Sequence, residues 1–303
     1  MEEIIVVSLF DGMSCGQIAF ESLGFKVKNY YASEIKSHAI KVTKENYPDT
    51  IHIGDVTKVH YKNKTLYTEN GNFYLGDYKI ALIGGSPCKG ISRLNKNQDG
   101  LKHPESKLFW HYIRIKNEIN PSFYLLENTH GNKEATDTIT ETLGKKPYSI
   151  NARLVSAQNR PRYYWTNLEG IEQPQDLGIT TKDIIKDDIK REEVSNSRNK
   201  WLKNKSGQSS ISKGYTKVNP YPKAGCLTAL GHKKWNCNYV FKDGKYYYYT
   251  QEELEMLQSI PKGYTKCLTY EEAYDVLGDG WNVEVIKHIL SYYKKILKEE
   301  NNE

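Results

Sequence analysis

The feature that most restricts how this chain can fold is a rhythm in its first half, where short apolar runs alternate with amphipathic segments. IIVVSLF (4–10) reads as a buried strand, GQIAFESLG (16–24) as a helix stopped by a glycine, and FKVKNYYASE (25–34) as a second strand. KIALIGG (79–85) and SFYLLEN (122–128) are two more strands. Between them Leu108, Tyr112, Ile115 and Ile119 recur at helical spacing and make one apolar face. Strands alternating with helices of this length imply an α/β, Rossmann-like fold: a mostly parallel sheet with helices on both faces. Ligands of such sheets bind beyond the carboxyl ends of the strands, so the residues that follow each apolar run are the candidates for chemistry.

The rhythm stops after YYWTNLEG (163–170). Residues 1–170 therefore read as a large domain and the polar stretch 171–222 as a small lobe, with a minor core from Ile184, Ile185, Ile189, Val194, Trp201 and Leu202. Residues 223–303 read as a returning segment that completes the large domain. In it TQEELEMLQSI is a capped helix, and NVEVIKHILSYYKKIL carries an apolar stripe through Val285, Ile286, Ile289, Leu290, Tyr293 and Leu297. A length of 303 residues suffices for both bodies to have real cores.

Five scattered cysteines (Cys15, Cys88, Cys226, Cys237 and Cys267) form no CxxC pair, which argues against a disulfide framework and against a metal site. There is no apolar run of about 18 residues and no signal-peptide start, so the expected setting is the cytoplasm, of a bacterium or a virus-infected host cell, without a membrane partner. The net charge of +6 is unevenly spread. Between Val194 and Lys242 there is no Asp or Glu, while Arg198, Lys200, Lys203, Lys205, Lys213, Lys217, Lys223, Lys233, Lys234 and Lys242 all fall there with Trp201 and Trp235. Such a window is either a lysine-rich solvated surface or a polyanion site.

FDGMSCG (10–16) follows the first strand, and its glycines Gly12 and Gly16 permit a tight turn with close backbone approach to a ligand. Glu34 ends the next strand, where a carboxylate in this architecture grips a ribose diol, and Asp55 in GDVTKV ends a third, where it can accept from an exocyclic amine. Together they point to an adenosine-containing cofactor. GGSPCKGIS (84–92) places Cys88 in a glycine-rich loop with Lys89 beside it, a setting that suits a thiolate nucleophile. Glu127 emerges on the same rim in ENTHGN and can donate to a ring nitrogen. In SAQNRPRYYW, Gln158, Arg160 and Arg162 alternate on a predicted strand, and two arginines on one face suit an anionic partner.

The order FDGxSxG, Glu34, GDV, PC, EN, QxRxR and a closing GDGWNVEVI resembles the cytosine-5 DNA methyltransferases, which use S-adenosylmethionine. The resemblance runs from about residue 5 to 167 and again from about 223 to 297, where CLTAL and YYYYTQEELEMLQSIPKGYT look like a further block of the family. SPCKGIS and VSAQNRPRYYW are especially similar to the animal de novo methyltransferases. The resemblance implies that Cys88 adds to carbon 6 of a flipped cytosine, that Glu127 stabilises the protonated nitrogen 3, and that Arg160 holds the base carbonyl with Gln158 and Arg162 in support. It implies cofactor contacts at Phe10, Asp11, Gly12, Met13, Gly16, Glu34, Ile35, Asp55, Val56 and Leu108, completed by Asp279 and Trp281. Expected DNA contacts are Lys89 and Ser92 by the cysteine and, in the small lobe, Arg198, Lys200, Lys203, Lys205, Lys213 and Lys217. Lys89, Thr129 and Asp279 depart from the family's usual Gln or Asn, Val, and Asn. The implied partner is double-stranded DNA, bound by a monomer, either alone or alongside a cognate restriction enzyme. A tRNA cytosine-5 methyltransferase and an inactive DNA-binding homologue are the alternatives.

Overall fold

A computed structural model describes residues 2–92, 99–186, 189–213, 216–218, 222–229, 231 and 238–300. Lys233, Lys234, Trp235 and Cys237 of the basic window lie outside these described residues. The chain divides into two compact units, one of residues 1–150, 161–173 and 286–303, the other of residues 151–160 and 174–285.

The first unit runs β1 (Ile4–Leu9), α1 (Cys15–Ser22), β2 (Val27–Ser33), α2 (Ser37–Asn46) and the short β3 (Ile51–His52). A three-stranded antiparallel sheet follows, β4 (His60–Lys62), β5 (Thr65–Thr68) and β6 (Gly71–Tyr74). Then come β7 (Lys79–Gly84), α3 (Phe109–Ile119), β8 (Phe123–Thr129), α4 (Lys133–Leu143), β9 (Tyr148–Asn151) and β10 (Pro161–Thr166). The main sheet has the order β3-β2-β1-β7-β8-β10-β9. It is parallel from β3 through β8, and β10 joins β8 antiparallel. Chain order therefore reverses at β1, which pairs with β2 on one side and β7 on the other, and such a switch point is where a crevice opens for ligand.

Burial on both faces explains why these strands are continuous apolar runs: all six residues of β1 are buried. Ile5, Val7 and Leu9 of β1 belong to one core with Leu82 of β7, Phe109, Tyr112 and Ile115 of α3, Leu126 of β8 and Trp165 of β10. Gly84, at the end of β7, has to be glycine, because a Cβ there would meet the Leu9 carbonyl oxygen at 2.8 Å and the Tyr112 ring at 3.1 Å.

The second unit contains α5 (Asn196–Lys203), α6 (Lys205–Ser212), β11 (Lys217–Val218), β12 (Asn238–Lys242), β13 (Lys245–Tyr247), α7 (Gln251–Leu257) and α8 (Tyr270–Asp279). Its core gathers Val194, Leu202, Val218, Tyr239 and Tyr246, with Trp201 packed against them. Ile184 is buried as expected, whereas Ile189 is 37% exposed and takes no part. The last helix, α9 (Val283–Glu300), belongs to the first unit from Ile286 onward. There Tyr293 stacks on Phe123 at 4.6 Å, which fulfils the expectation drawn from its apolar stripe.

The domain boundaries differ from the sequence expectation. Only residues from 286 on return to the first unit, because 223–285 is knitted into the second. The Asn238 side chain accepts from the Gly225 N–H and donates to its carbonyl (2.7 and 3.2 Å), and α7 is fixed at Thr250 and Glu253 by a reciprocal cap.

Candidate active site

The turn from β1 into α1 is held in an unusual backbone. Phe10, Gly12 and Ser14 all have positive φ (57°, 62° and 61°), a concentration of left-handed residues that ordinary turns avoid. The side chains around it explain its persistence. The Asp11 carboxylate accepts from Ser14 Oγ at 2.5 Å and from the Tyr30 hydroxyl at 2.7 Å, while its N–H donates to the Ser33 carbonyl of β2. Burial pushes the Asp11 carboxyl up to about 6, partly offset by the Ser14 hydroxyl. Glu34 binds the same turn from the end of β2: its Oε2 accepts the Gly12 N–H at 2.8 Å, and its Oε1 accepts those of Ile35 and Lys36 at 2.8 and 2.9 Å.

The other expected cofactor residues have different surroundings. Asp55 accepts from the Thr57 N–H at 2.8 Å and starts the turn that carries Val56. Ile35 is 69% exposed, while Met13 and Val56 are buried. Gly16 is a buried residue of α1, and Leu108 packs partly buried against the core. Asp279 and Trp281 belong to the second unit, where Asp279 is the exposed last residue of α8.

Cys88 stands exposed on a loop whose backbone is tied down on both sides. Before it, Asn128 Nδ2 of β8 donates to both the carbonyl and the hydroxyl of Ser86, each at 3.1 Å. The fully buried Ser106 hydroxyl donates to the Pro87 carbonyl (3.1 Å) and accepts the Gly90 N–H (3.0 Å). Just after it, the Cys88 carbonyl accepts from Ile91 and Ser92, and the Ile91 carbonyl accepts from Asn132. Two glycines make the crossing possible: a Cβ on Gly90 would lie 2.2 Å from the Gly100 oxygen, and one on Gly131 only 1.9 Å from that of Ile91. Lys89, expected at DNA, forms an ion pair with Glu105.

Glu127 lies on β8, one residue before the asparagine that anchors the loop. Its Oε1 meets Arg162 Nε at 2.9 Å, both side chains being largely buried.

The structure corrects the reading of QxRxR as one strand face. The strand begins at Pro161, so Gln158 and Arg160 precede it and lie in the second unit, while Arg162 lies in the first. Both are buried, and their polar ends are consumed there. Gln158 bonds the Leu257 carbonyl, the Gln258 side chain and the Leu227 N–H. The Arg160 guanidinium donates to the carbonyls of Leu227, Gly278 and Gly280 and to Cys226 Sγ. The residue that meets Glu127 is Arg162, which the sequence reading had in a supporting place.

Among the basic residues, Lys200, Lys203, Lys205 and Lys213 are exposed and Lys217 half-buried. Arg198 donates to the Tyr248 hydroxyl at 2.7 Å, and Lys223 is drawn inward onto the carbonyls of Arg153, Ser156 and Ile179. No group of three or more His, Cys, Asp or Glu suited to a metal occurs among the described residues, and none of their helices is long and apolar enough to cross a membrane. Sequence reasoning missed Ser106, Tyr30 and the anchoring role of Asn128; only the EN pair itself carried a signal, since neighbouring strand residues point to opposite faces.

The family model described as C-5 cytosine-specific DNA methylase matches residues 4–176. The chain is 32% identical over 203 residues to the Type II methyltransferase M.NlaIV of Neisseria lactamica (60% of this chain, 44% of that protein). It is 33% identical over 170 residues to the Type II methyltransferase M1.ScrFI of Lactococcus lactis subsp. cremoris (52% and 40%). It thus spans less than half the length of both relatives. Among solved structures, the Entamoeba histolytica methyltransferase EhMeth superposes with a TM-score of 0.75 at 15% identity, covering 98% of this chain and 99% of that one. The S. pombe Dnmt2 methyltransferase follows with 0.71 at 16% identity, covering 97% and 99%. At such identity these two structures speak for the fold.

Proposed function

The chain belongs to the C-5 cytosine-specific DNA methylase family, and on that premise we propose that it methylates carbon 5 of a cytosine in duplex DNA with S-adenosylmethionine as donor. The observation that carries the reading is local to the first unit. An exposed thiol sits on a loop hung by Asn128 from the strand whose preceding residue, Glu127, is paired with Arg162.

The donor set around the β1 turn fits such a cofactor. Asp11, a carboxylate whose burial is offset only by neutral hydroxyls, suits an ammonium group, and Glu34, satisfied by three backbone N–H groups, keeps acceptor capacity for a diol. S-adenosylmethionine supplies an electrophilic methyl group on sulfonium sulfur. The chain's residues supply the rest. Cytosine carbon 5 is a weak nucleophile until the ring loses its aromaticity. The Cys88 thiolate adds to carbon 6, and Glu127 stabilises the protonated nitrogen 3, so electron density moves to carbon 5, which takes the methyl. Loss of the carbon 5 proton then expels the thiolate and restores the ring. Arg162, not Arg160, is assigned to the base edge, because its guanidinium already lies against Glu127. The target carbon is unreachable inside a duplex, so the base is flipped out at a cost of a few kcal/mol.

Covalent trapping tests this. A duplex containing 5-fluorocytosine is expected to form a stable adduct in the presence of the cofactor, and Cys88→Ala to form none. Adduct on tRNA but not on duplex DNA would overturn the substrate, and adduct on neither would overturn the reaction. Bisulfite sequencing of plasmid from cells expressing the protein would then give the methylated motif.

A further inference from the structure

The β5–β6 turn reaches the loop that carries Asp55, and nothing in the reaction above uses it. Two side chains of this turn bind the backbone after β3. Glu69 Oε1 accepts the Asp55 N–H at 2.6 Å, and Asn70 Nδ2 donates to the His52 carbonyl at 3.0 Å. The intervening residue is shaped for them: Gly54 has φ +73°, and a Cβ on it would lie 2.0 Å from Glu69 Oε1. The same loop is tied to β2 from its other side, through Ser33 Oγ to the Gly54 carbonyl at 2.7 Å and the Ile53 N–H to the Ala32 carbonyl at 2.9 Å.

The backbone of 52–55 is thus held by β2 and by this turn. One of the two clamps is an exposed carboxylate that takes no other described hydrogen bond. An exposed charge in surface water gains little from folding unless it fixes something. What it fixes here is the residue whose carboxylate ends the third strand of the cofactor edge.

We propose that Glu69 and Asn70 are positioning residues for the cofactor, which hold the Asp55 loop in the shape that receives the adenosine end of S-adenosylmethionine. This rests on the cofactor assigned above. Without the clamp the loop samples other conformations, and the affinity falls by the fraction of time it is misplaced.

The test compares Glu69→Ala, Glu69→Gln and Asn70→Ala with the parent protein, using calorimetric binding of S-adenosylmethionine and of adenosine alone. Hydrogen exchange at the Asp55 amide and the midpoint of thermal unfolding are followed without ligand. Glu69→Ala is expected to weaken both ligands by the same factor, about two- to tenfold for one lost hydrogen bond. It is also expected to speed exchange at Asp55 and to leave the unfolding midpoint nearly unchanged. Glu69→Gln, which keeps an acceptor oxygen, should recover most of both effects. Faster Asp55 exchange with unaltered affinity, or lost affinity that Gln does not recover, would overturn the proposal. Should Glu69→Ala not fold, Asn70→Ala and Glu69→Gln decide by the same two readouts. A parent protein that binds neither ligand would instead remove the cofactor assignment itself.

Discussion

At the scale of single residues, Asp11 makes the turn after β1 sensitive to pH. Its carboxyl, raised by burial from 3.8 to about 6, binds a proton more tightly in the folded chain than in the unfolded one. Between pH about 4 and 6 the native state therefore holds more protons, so stability falls as pH rises through that window, and above it the full cost persists. Asp11→Asn removes this dependence. Its thermal midpoint is expected to exceed that of the parent at pH 7 and to converge on it near pH 4. Cofactor affinity should move the opposite way. A bound ammonium favours the carboxylate, so binding to the parent is expected to strengthen from pH 5 to 7 in calorimetry, and the Asn variant to bind weakly and without that trend. The two arginines separate just as cleanly. Arg162→Lys keeps the charge but loses the planar fork at Glu127, and is expected to slow methyl transfer about ten- to a hundredfold, the equivalent of a charge-assisted hydrogen bond of ~1.5–3 kcal/mol. Arg160→Lys strands buried carbonyls of Leu227, Gly278 and Gly280, so a lowered unfolding midpoint is its expected mark.

At the scale of elements, the site is two strand ends and the ties between them. β7 ends at Gly84 and β8 carries Glu127 and Asn128, with Gly84 in register with Leu126, so the loop bearing Cys88 starts beside the strand that carries Glu127. Ser106 holds that loop from below. Ser106→Ala leaves the buried Gly90 N–H without its acceptor, at a cost of about 1–3 kcal/mol. A lower unfolding midpoint together with slower trapping on 5-fluorocytosine is the expected result, and a change in midpoint alone would mean the tie serves folding only. These strands were legible in the sequence because parallel strands buried on both faces must be written as unbroken apolar runs. The β4–β6 sheet was not, since HYK, TLYT and GNFY are short, polar on one face and free of any helical or long alternating period. The alternation of Gln158, Arg160 and Arg162 misled for a physical reason: the strand opens at Pro161, which has no N–H to give a ladder, and the residues before it follow another unit. Cys88 and Glu127 stand out as candidates in the sequence because residue type and loop context mark them. The partner of Glu127 was decided by which arginine shares its sheet.

For the whole molecule the relevant quantity is where charge sits. A net +6 over 303 residues is small, yet the stretch from Val194 to Lys242 has no carboxylate to neutralise its cations, and α5 and α6 display Lys200, Lys203 and Lys205 to solvent. Not every cation there is available. Lys223 is drawn onto three carbonyls, with burial pulling its ammonium pKa down, and Arg198 is engaged by Tyr248. The exposed lysines are therefore the ones expected to displace counterions from a duplex. Each phosphate neutralised contributes about 0.9 to the slope of log affinity against log salt. Replacing Lys200, Lys203 and Lys205 together by Ala is expected to lower that slope by about 1–3 and to weaken binding to all duplexes alike, since phosphate contacts hold no sequence information. Arg198→Ala, by contrast, removes a hydrogen bond within the lobe and should lower stability with little change in slope. A triple variant with the parent's salt dependence would mean that the carboxylate-free stretch is only a solvated surface. Duplex binding would then have to rest on other cations of the chain.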